Sequence, residues 1–391
     1  MRVAFTLIGG NNWIGGYNYL LNLLNLINKH EQDYLTPVVF VGDTCNPEYI
    51  SDFENIDCVE LVKTPLFNTS RNTSSLIQAI FYGRDIAVTQ LFQQQHIDVV
   101  FESARFFGWR LGIPTIAWFP DFQHKLLPHL FSYKAWWKRE LGFRIQITSG
   151  RTIMLSSNDA KSNCEHYYSG SRGQTQTVHF AVPSNSSNSY EDARKTADSY
   201  NLPTHFFFMP NQFWRHKNHN LVLDALNILR QRDRQIVIAV SGKQNDPQAP
   251  EYFPELLQKI NQSQLEENFR LLGVIPYSHI ALLMQACSAF LNPSLFEGWS
   301  TTVEEARSMG VPMLLSNLDV HYEQMGDEAH YFDRNSAQSL ADALDKFKPL
   351  NESEREYQTK TARENNTRLT KQFARDFVNL ANHCAIKAKA L

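Results

Sequence analysis

The sequence predicts an α/β protein made of two domains of similar type, each with a largely parallel sheet. Three observations predict this class. With 391 residues, the chain has room for two or three domains of about 100–200 residues each. Short apolar runs alternate with segments of helical periodicity in both halves, a pattern typical of βαβ units. A polar, turn-rich segment at 183–189 separates the halves and is the best candidate for a linker.

The first half opens on an apolar run at 3–8, which predicts a buried strand. A glycine-rich turn follows, with pairs at Gly9-Gly10 and Gly15-Gly16, and leucines then recur at helical spacing. Further strands are predicted at 38–41, 99–102 and 113–120. Because ligands bind beyond the carboxyl ends of parallel strands, the turns that follow these strands are candidate binding segments.

The second half repeats the alternation, and its last segment has a separate character. The predicted strands lie at 206–209, 236–241, 269–272, 289–291 and 312–315, and the predicted helices at 221–231, 279–286 and 302–309. The tail from about 368 to 391 has the pattern of a long amphipathic helix. The second half is therefore predicted to be a second parallel α/β domain.

Composition and charge exclude several classes of function. The net charge of −3 argues against a general nucleic-acid-binding protein. The five cysteines are widely spaced and odd in number, which argues against a disulfide framework or a zinc site and suits a reducing compartment. No apolar run reaches the roughly 18 residues of a membrane-spanning helix. We therefore predict a cytoplasmic location.

The strongest chemical signal is a loop and helix start between two glutamates. Glu297 ends a strand–loop segment, and Glu305 follows eight residues later on the next predicted helix. A helix start presents unpaired backbone N–H groups, which suit phosphate or sugar oxygens, and carboxylates accept hydrogen bonds from hydroxyls. The alternative is that the serine, threonine and glutamate side chains of this segment, Ser300 among them, only cap the helix. The intervening Glu304 is expected to be a solvated helix residue.

A basic loop, 210–219, follows the strand predicted at 206–209. It contains Arg215 and Lys217, two cations that can stabilise negative charge on a bound group. In an extended loop, residues two apart project the same way, so both side chains are expected to reach the same anionic group. The alternative is an ordinary solvated basic loop.

Together these segments resemble family 4 retaining glycosyltransferases, in which two glutamates are separated by seven residues. The resemblance implies that Glu297 contacts the transferred sugar and that Glu305 binds the nucleotide ribose. It also implies that the residues after the first glutamate offer backbone amides to the donor, and these are Gly298, Trp299, Ser300 and Thr301. The family often has Gly-Phe-Gly where this chain has Gly-Trp-Ser, which bears on sugar preference.

The same resemblance assigns the basic loop to the donor diphosphate. Lys217 matches the family's lysine, whereas Gln212 stands where the family usually has arginine, and Arg215 is the nearby replacement. A weaker resemblance concerns the N-terminal glycine loop. It implies that the backbone amides of Gly15 and Gly16 approach the diphosphate.

Two further donor contacts and one catalytic position are implied. Gly242 matches a glycine near the phosphates, and the backbone around Val274 matches the segment that meets the nucleobase. The family also has a polar residue, commonly histidine, near the transferred sugar. Asp121 and His124 compete for this position, and the sequence does not align either of them uniquely. With Glu297 they are the candidate catalytic groups.

The fold implied is GT-B, with two Rossmann-like domains facing across a cleft. The expected domains are an acceptor-side domain at 1–185 and a nucleotide-sugar domain at 200–365, with the helix at 368–391 returning to the first. The expected donor is a UDP- or GDP-sugar carrying a hexose, and the expected acceptor is a saccharide or lipid-linked saccharide. Neither a cofactor nor a metal site is expected, because Asp-x-Asp and metal-ligand spacings do not occur.

The sequence is compatible with two other functions, and it leaves two interpretations for the segment 131–144. A GT-B enzyme of another reaction, such as a nucleotide-sugar epimerase or a phosphorylase, fits the same motifs, as does a non-catalytic nucleotide-sugar binding protein. The segment 131–144 carries two tryptophans among basic residues. Such a helix can lie peripherally on the inner face of a membrane, or it can pack through its tryptophans.

Overall fold

The structure is a computed structural model, and it describes residues 1–7, 14–103, 105–184, 189–246 and 248–389. The predicted turn at Gly9-Gly10 and most of the predicted linker at 183–189 lie outside these ranges. The chain forms two compact units. The first comprises Met1–Phe122, Lys134–Ala181 and Arg368–Leu391, and the second comprises Gln123–Tyr133 and Val182–Thr367.

The helices and strands alternate along both units, as the sequence predicts. The strands are β1 Arg2–Thr6, β2 Thr36–Val41, β3 Glu60–Lys63, β4 Val99–Glu102, β5 Thr115–Phe119, β6 Thr152–Leu155, β7 Thr175–Thr177, β8 Phe207–Met209, β9 Ile238–Ser241, β10 Phe269–Gly273, β11 Ala289–Asn292, β12 Met313–Ser316 and β13 His330–Phe332. The helices are α1 Ile14–His30, α2 Pro47–Glu54, α3 Asn72–Phe81, α4 Ile86–Gln94, α5 Gln123–Leu126, α6 Tyr133–Thr148, α7 Asn158–Tyr167, α8 Tyr190–Ser199, α9 His219–Gln231, α10 Tyr252–Gln262, α11 Tyr277–Ala286, α12 Thr301–Met309, α13 Asp319–Met325, α14 Ala337–Lys346 and α15 Glu352–Lys389.

The first unit holds a parallel sheet in the order β3-β2-β1-β4-β5-β6-β7. The order reverses between β1 and β4, which makes this the topological switch point, the place where parallel α/β sheets bind ligands. The strands β1, β4 and β5 are almost wholly buried, as their apolar runs predict. β3, β6 and β7 have no counterpart in the sequence prediction. β3 and β7 occupy the edges of the sheet, whereas β6 is a buried inner strand.

The second unit repeats this topology with the order β10-β9-β8-β11-β12-β13, again parallel. Both faces of its sheet are covered. Phe207 and Met209 of β8 point into one apolar core, and Phe206 and Phe208 point into the other. The central strands β8 and β11 pair directly, with Phe207 opposite Ala289. The loops that follow these two strands therefore leave the sheet side by side.

The final helix is longer than the tail predicted from the sequence. α15 has 38 residues, begins in the second unit and ends in the first. In the first unit its Phe377 stacks on Phe5 of β1 at 5.7 Å, and its Phe373 lies edge-on to Tyr19 of α1 at 5.8 Å. Aromatic packing on β1 and α1 therefore holds the C-terminal half of α15 against the first unit.

Candidate functional site

The loops after β8 and β11 bring Lys217 and Glu297 together. The Lys217 ammonium lies 2.6 Å from Glu297 Oε1, and both side chains are about nine-tenths buried. Lys217 ends a short 3-10 turn that precedes α9, and Glu297 lies in the loop before α12. A backbone hydrogen bond from Leu295 N–H to the His216 carbonyl, 2.8 Å long, joins the two loops directly. The two residues with the strongest motif assignments thus form one ion pair.

A polar network surrounds the Glu297 carboxylate. The Ser294 hydroxyl donates to Glu297 Oε1 at 2.7 Å, and the Asn292 amide donates to the same oxygen at 3.3 Å. Ser316 in turn donates to the Ser294 carbonyl at 2.7 Å. Serine and asparagine in the stretch before Glu297 are thus second partners of the carboxylate. Both residues belong to the Asn-Pro-Ser stretch at 292–294, for which the sequence predicted no role.

The surroundings of Glu297 hold its carboxyl group ionised. Burial raises the pKa of Glu297, but the nearby Lys217, His216 and His321 outweigh burial and lower this pKa to about 2. The sequence predicted no role for His321. Its ring is fully buried, and Nδ1 donates to the Ser316 carbonyl at 2.9 Å.

His321 itself is held neutral. Burial lowers the pKa of His321 to about 4, although the Glu297 charge acts in the opposite direction. Its second ring nitrogen, Nε2, is buried and has no hydrogen-bond partner among the described residues. The site therefore combines an ionised Glu297 carboxylate and a neutral His321 imidazole, with the Lys217 amino group paired to the carboxylate.

The N-terminus of α12 lies directly beyond Glu297. Ser300 occupies the N-cap position, but its hydroxyl makes no capping bond to the helix. The hydroxyl contacts the Asn292 amide at 3.2 Å and Thr302 at 3.2 Å instead. The simple alternative that Ser300 only caps the helix is therefore wrong.

The backbone of Ser300 pairs with a side chain from α13. The Ser300 N–H donates to Gln324 Oε1 at 3.2 Å, and Gln324 Nε2 donates to the Ser300 carbonyl at 3.1 Å. The expectation that the Ser300 amide faces a donor therefore does not fit this geometry, because that amide is already paired. Gly298, Trp299 and Thr301 are half-buried around the same loop.

Glu304 and Glu305 occupy different faces of α12. Glu304 is fully buried, forms an ion pair with Arg307 and accepts a hydrogen bond from Gln324 at 2.8 Å. The expectation that Glu304 is solvated is therefore wrong. Glu305 is half-buried and accepts a hydrogen bond from the Tyr277 hydroxyl at 2.8 Å. Burial raises the pKa of Glu305, and the Tyr277 bond partly opposes that shift.

Arg215 does not follow the direction of Lys217. The segment is a 3-10 turn and not an extended loop, so residues two apart do not project the same way. The Arg215 guanidinium pairs with Glu251 at 2.7 Å and with Glu255 at 3.8 Å, both at α10 or its start. The expectation that Arg215 and Lys217 share one direction is wrong, because the two cations face different acidic partners.

Gly242 joins the basic loop to its neighbour. Its φ of +155° and its position against Asn211 leave no space for a side chain, since an added Cβ would lie 2.3 Å from the Asn211 carbonyl oxygen. Gln212, at the family's arginine position, accepts a hydrogen bond from the Lys243 N–H at 3.0 Å. Gly242 therefore lets the turns after β8 and β9 pack together. Val274 lies apart from these turns in the sequence; it follows β10 and is 77% exposed.

The remaining predicted residues lie elsewhere in the described parts of the chain. Gly15 and Gly16 form the first turn of α1. Asp121 follows β5 in the first unit and pairs with Arg139 of α6 at 2.6 Å. His124 belongs to α5, which groups with the second unit, and its ring is fully buried beside Phe131. The two candidates for one catalytic position thus fall in different units.

Among the described residues, no group of three or more histidine, cysteine, aspartate or glutamate side chains is placed to hold a metal ion. Across the same ranges, none of the helices is both long and apolar enough to cross a membrane.

The two units define the class of the fold. Each is a parallel, doubly wound α/β unit, and together they form the GT-B fold. A glycosyltransferase from Rickettsia africae has the same fold, with a TM-score of 0.66 and 15% identity over 97% of this chain and 94% of that one. Anabaena Alr3699/HepE, solved in complex with UDP, also has a TM-score of 0.66, with 18% identity over the full length of both chains.

The second unit also has sequence similarity to known glycosyltransferases. Residues 193–365 match the family model described as glycosyl transferases group 1. A curated relative, the O-antigen chain mannosyltransferase B of Escherichia coli, is 31% identical over 86 residues. This match spans 22% of the chain and 23% of the relative. Lys217, Glu297 and Glu305 all lie inside the segment that matches the family model.

Proposed function

We propose that the protein is a retaining glycosyltransferase that moves a hexose from a nucleoside-diphosphate sugar to a hydroxyl group. The proposal depends mainly on the Lys217–Glu297 pair beside the N-terminus of α12, inside the segment that matches group 1 glycosyltransferases. A cation and a helix N-terminus suit the diphosphate, and an ionised carboxylate suits the sugar hydroxyls.

In this proposal Lys217 stabilises charge on the leaving diphosphate. Negative charge grows on the diphosphate as the sugar–oxygen bond breaks, and a fixed ammonium stabilises that charge without reorganising. Glu297 stays ionised at neutral pH because its pKa is about 2. Its carboxylate then accepts hydrogen bonds from the sugar hydroxyls and stabilises the positive charge that develops at the anomeric carbon. Positive charge comes from Lys217 and α12, so we propose that the reaction needs no metal.

Glu305 is proposed to bind the ribose of the donor. It lies on α12 beyond the Glu297 loop, and its carboxylate is oriented by the Tyr277 hydroxyl. The segment around the exposed Val274 precedes Tyr277 directly and is the proposed contact for a uracil or guanine base. Gly242 and the amides of Gly298, Trp299 and Thr301 remain proposed donor contacts.

The acceptor is proposed to be a glycan or a lipid-linked saccharide. The partial match to an O-antigen mannosyltransferase supports a saccharide acceptor. Asp121 and His124 are both retained as candidates for the polar group near the transferred sugar. Gly15 and Gly16 begin α1 and are kept as proposed diphosphate contacts through their backbone. Arg215 is kept only as a secondary one, because Glu251 already neutralises it.

The test begins with thermal shift over UDP- and GDP-sugars, since a ligand that binds the native state raises its melting temperature. The donor that stabilises most is then incubated with saccharide and lipid-linked acceptors, and the anomeric configuration of the product is read by NMR. An α-linked product from an α-linked donor supports the proposal. An epimerised nucleotide sugar or a sugar phosphate would instead identify the other GT-B reactions, and binding without turnover would identify a binding protein.

A further inference from the structure

Helix α3 of the first unit presents its apolar side chains to solvent. Ile77 is 50% exposed and Phe81 77% exposed, whereas the inward positions carry only the small residues Ser75 and Ala79. A helix on a protein surface normally has the opposite arrangement, with its apolar stripe turned to the core. The larger side chains of α3 thus keep between 42% and 77% of their surface exposed, and this surface is available to another apolar surface.

The exposed face extends beyond the helix. We define the α3 patch by six side chains: Leu76, Ile77, Ile80, Phe81, Tyr82 and Trp109. Trp109 comes from the loop after β4, and its indole N–H donates to the Ile80 carbonyl at 3.2 Å. Ile86, at the start of α4, is exposed as well. Contiguous exposed apolar surface of this kind marks an interaction site.

The two segments of the α3 patch are fixed to each other. The Arg110 N–H donates to the Gly83 carbonyl at 2.7 Å, and Gly108 packs against Gly83 so closely that an added Cβ would lie 2.2 Å from that carbonyl oxygen. The loop is also tied to the core, because the buried Arg151 pairs with Glu102 at 2.6 Å and donates to the Gly108 carbonyl at 2.8 Å. The patch is therefore a preformed surface.

Exposed charge around the α3 patch is positive. Arg84 and Arg110 are exposed, and the Arg110 guanidinium lies over the Trp109 ring at 4.3 Å. The sequence from 64 to 97 contains one carboxylate, Asp85, and that from 99 to 120 contains one, Glu102. Both are buried. Aliphatic and aromatic side chains flanked by arginines match the two layers of an anionic membrane surface, its acyl boundary and its charged headgroups.

We propose that the α3 patch binds an anionic lipid bilayer, with Phe81, Ile77 and Trp109 entering the interface and Arg84 and Arg110 contacting the headgroups. This surface is distinct from the segment 131–144. In α6 Glu140 is buried and pairs with Arg144, and Trp136 and Trp137 lie edge-on to each other at 5.0 Å. The proposal does not depend on the enzymatic activity.

Co-sedimentation of the full chain with vesicles tests the proposal. The wild type should bind vesicles of phosphatidylcholine mixed with phosphatidylglycerol, bind phosphatidylcholine alone more weakly, and lose affinity as salt rises. The double variant Ile77→Ser/Phe81→Ser should reduce partitioning by about tenfold or more, from the apolar area removed. Arg84→Glu and Arg110→Glu should each reduce it by at least about fivefold.

The matched controls are an exposed aromatic residue and an exposed arginine outside the α3 patch. Tyr357→Ser and Arg172→Glu should leave vesicle binding unchanged, and circular dichroism should show that every variant is folded. Equal binding by the patch variants and the controls, or a wild type that stays in solution with the mixed vesicles, would overturn the proposal. A dimer in the absence of lipid that Phe81→Ser dissociates would assign the patch to a second copy of the chain instead.

Discussion

Lys217 and Glu297 stand 80 residues apart in the sequence, and their charged groups lie 2.6 Å apart in the structure. Direct pairing of β8 with β11 accounts for this meeting, because the loops after neighbouring parallel strands leave the sheet at the same edge. Each side chain is therefore the other's main partner in the absence of a ligand. A substitution at either position affects both stability and the proposed chemistry.

Lys217→Ala should reduce kcat/KM by about ten- to a hundredfold. A hydrogen bond to a charged group contributes about 1.5–3 kcal/mol, and about 1.4 kcal/mol corresponds to tenfold in rate. Affinity for the nucleoside diphosphate should fall, whereas affinity for the nucleoside without phosphates should change little. The measurement is a titration of both ligands against both proteins. Lys348→Ala, an exposed lysine of the second unit that follows α14, is the matched control.

Stability must be separated from activity in this experiment. Removing Lys217 leaves the buried Glu297 carboxylate without its ammonium, which should destabilise the second unit by about 3 kcal/mol. The double variant Lys217→Met/Glu297→Gln should recover most of this loss, because neither charge then remains. If Lys217→Ala weakened both ligands equally, Lys217 would have no specific role at the diphosphate.

Acid should destabilise the second unit through His321. The pKa of His321 is lowered to about 4 in the folded chain, against an ordinary value near 6.5. Between these values the unfolded chain binds a proton that the folded chain does not, so stability falls as pH drops from 6.5 towards 4. At pH 5 the contribution lost is on the order of 2 kcal/mol. His321→Asn keeps a donor for the Ser316 carbonyl and should reduce this pH dependence in thermal melts.

A second buried histidine, His219, contributes to the same pH dependence of stability. It is also fully buried, and burial lowers its pKa to about 3, so it contributes to the same acid sensitivity. The variant His321→Asn should therefore flatten the pH dependence between 6.5 and 4 without abolishing it. Identical slopes for His321→Asn and the wild type would show that His321 takes up its proton equally in both states.

The sequence predicted the architecture well because both sheets are built from short buried runs between helical segments. Apolar strands such as β8 and β11 are visible in the sequence for this reason, although the buried strand β6 and the edge strand β13 were not predicted. Edge strands such as β3 and β7 are short and polar, and no apolar run marks them. Their assignment depends on pairing with a neighbouring strand, which the sequence does not display.

The site was predicted less completely than the fold. Motif spacing identified Glu297 and Lys217, but spacing carries no information on side-chain direction. Arg215 was misplaced for this reason, since a 3-10 turn and an extended loop are not distinguished by charge pattern. Glu304 was misread because glutamate on a helix is usually solvated. Its burial requires Arg307 and Gln324, and Gln324 comes from another helix.

A double-mutant cycle should locate the ribose contact. Glu305→Gln should weaken binding of the nucleoside diphosphate by about tenfold, as expected for a hydrogen bond to a charged group. If Glu305 contacts ribose, 2′- or 3′-deoxy ligands should lose less affinity for Glu305→Gln than for the wild type. Isothermal titration with both ligands measures the coupling. Additive losses would place Glu305 away from the sugar of the nucleotide.

The proposed transfer should survive EDTA almost unchanged. Lys217 and the α12 N-terminus supply the positive charge in the proposed mechanism, so chelation removes nothing that the reaction uses. Initial rates with excess EDTA, and with added manganese or magnesium, make the comparison. A loss of activity that manganese restores would refute the metal-independent mechanism.

Gln324 should determine the position of the Glu297 loop. Its amide pairs with both backbone groups of Ser300 and donates to the buried Glu304. Gln324→Leu removes all three bonds and leaves the buried Ser300 N–H without its side-chain acceptor, which should cost about 3 kcal/mol of stability at any pH. Gln324→Glu places a second carboxylate beside Glu304. The neighbouring Glu304 charge should raise the pKa of the introduced carboxyl group, so the variant should be least stable near neutral pH. As the pH falls, this carboxyl group takes up a proton, can donate a hydrogen bond again, and stability should recover.

The matched control is Gln338, which also donates to a carboxylate, that of Asp342 at 2.9 Å, but is exposed on α14. Gln338→Glu should cost little at any pH, because water screens the new charge. Thermal melts between pH 5 and pH 7.5 compare the three variants, and kcat/KM is measured where each is folded. A positioning role predicts that Gln324→Glu loses kcat/KM beyond its loss of folded protein and regains it towards lower pH. A pH-independent loss equal to that of Gln324→Leu would show that Gln324 only fills space behind the loop.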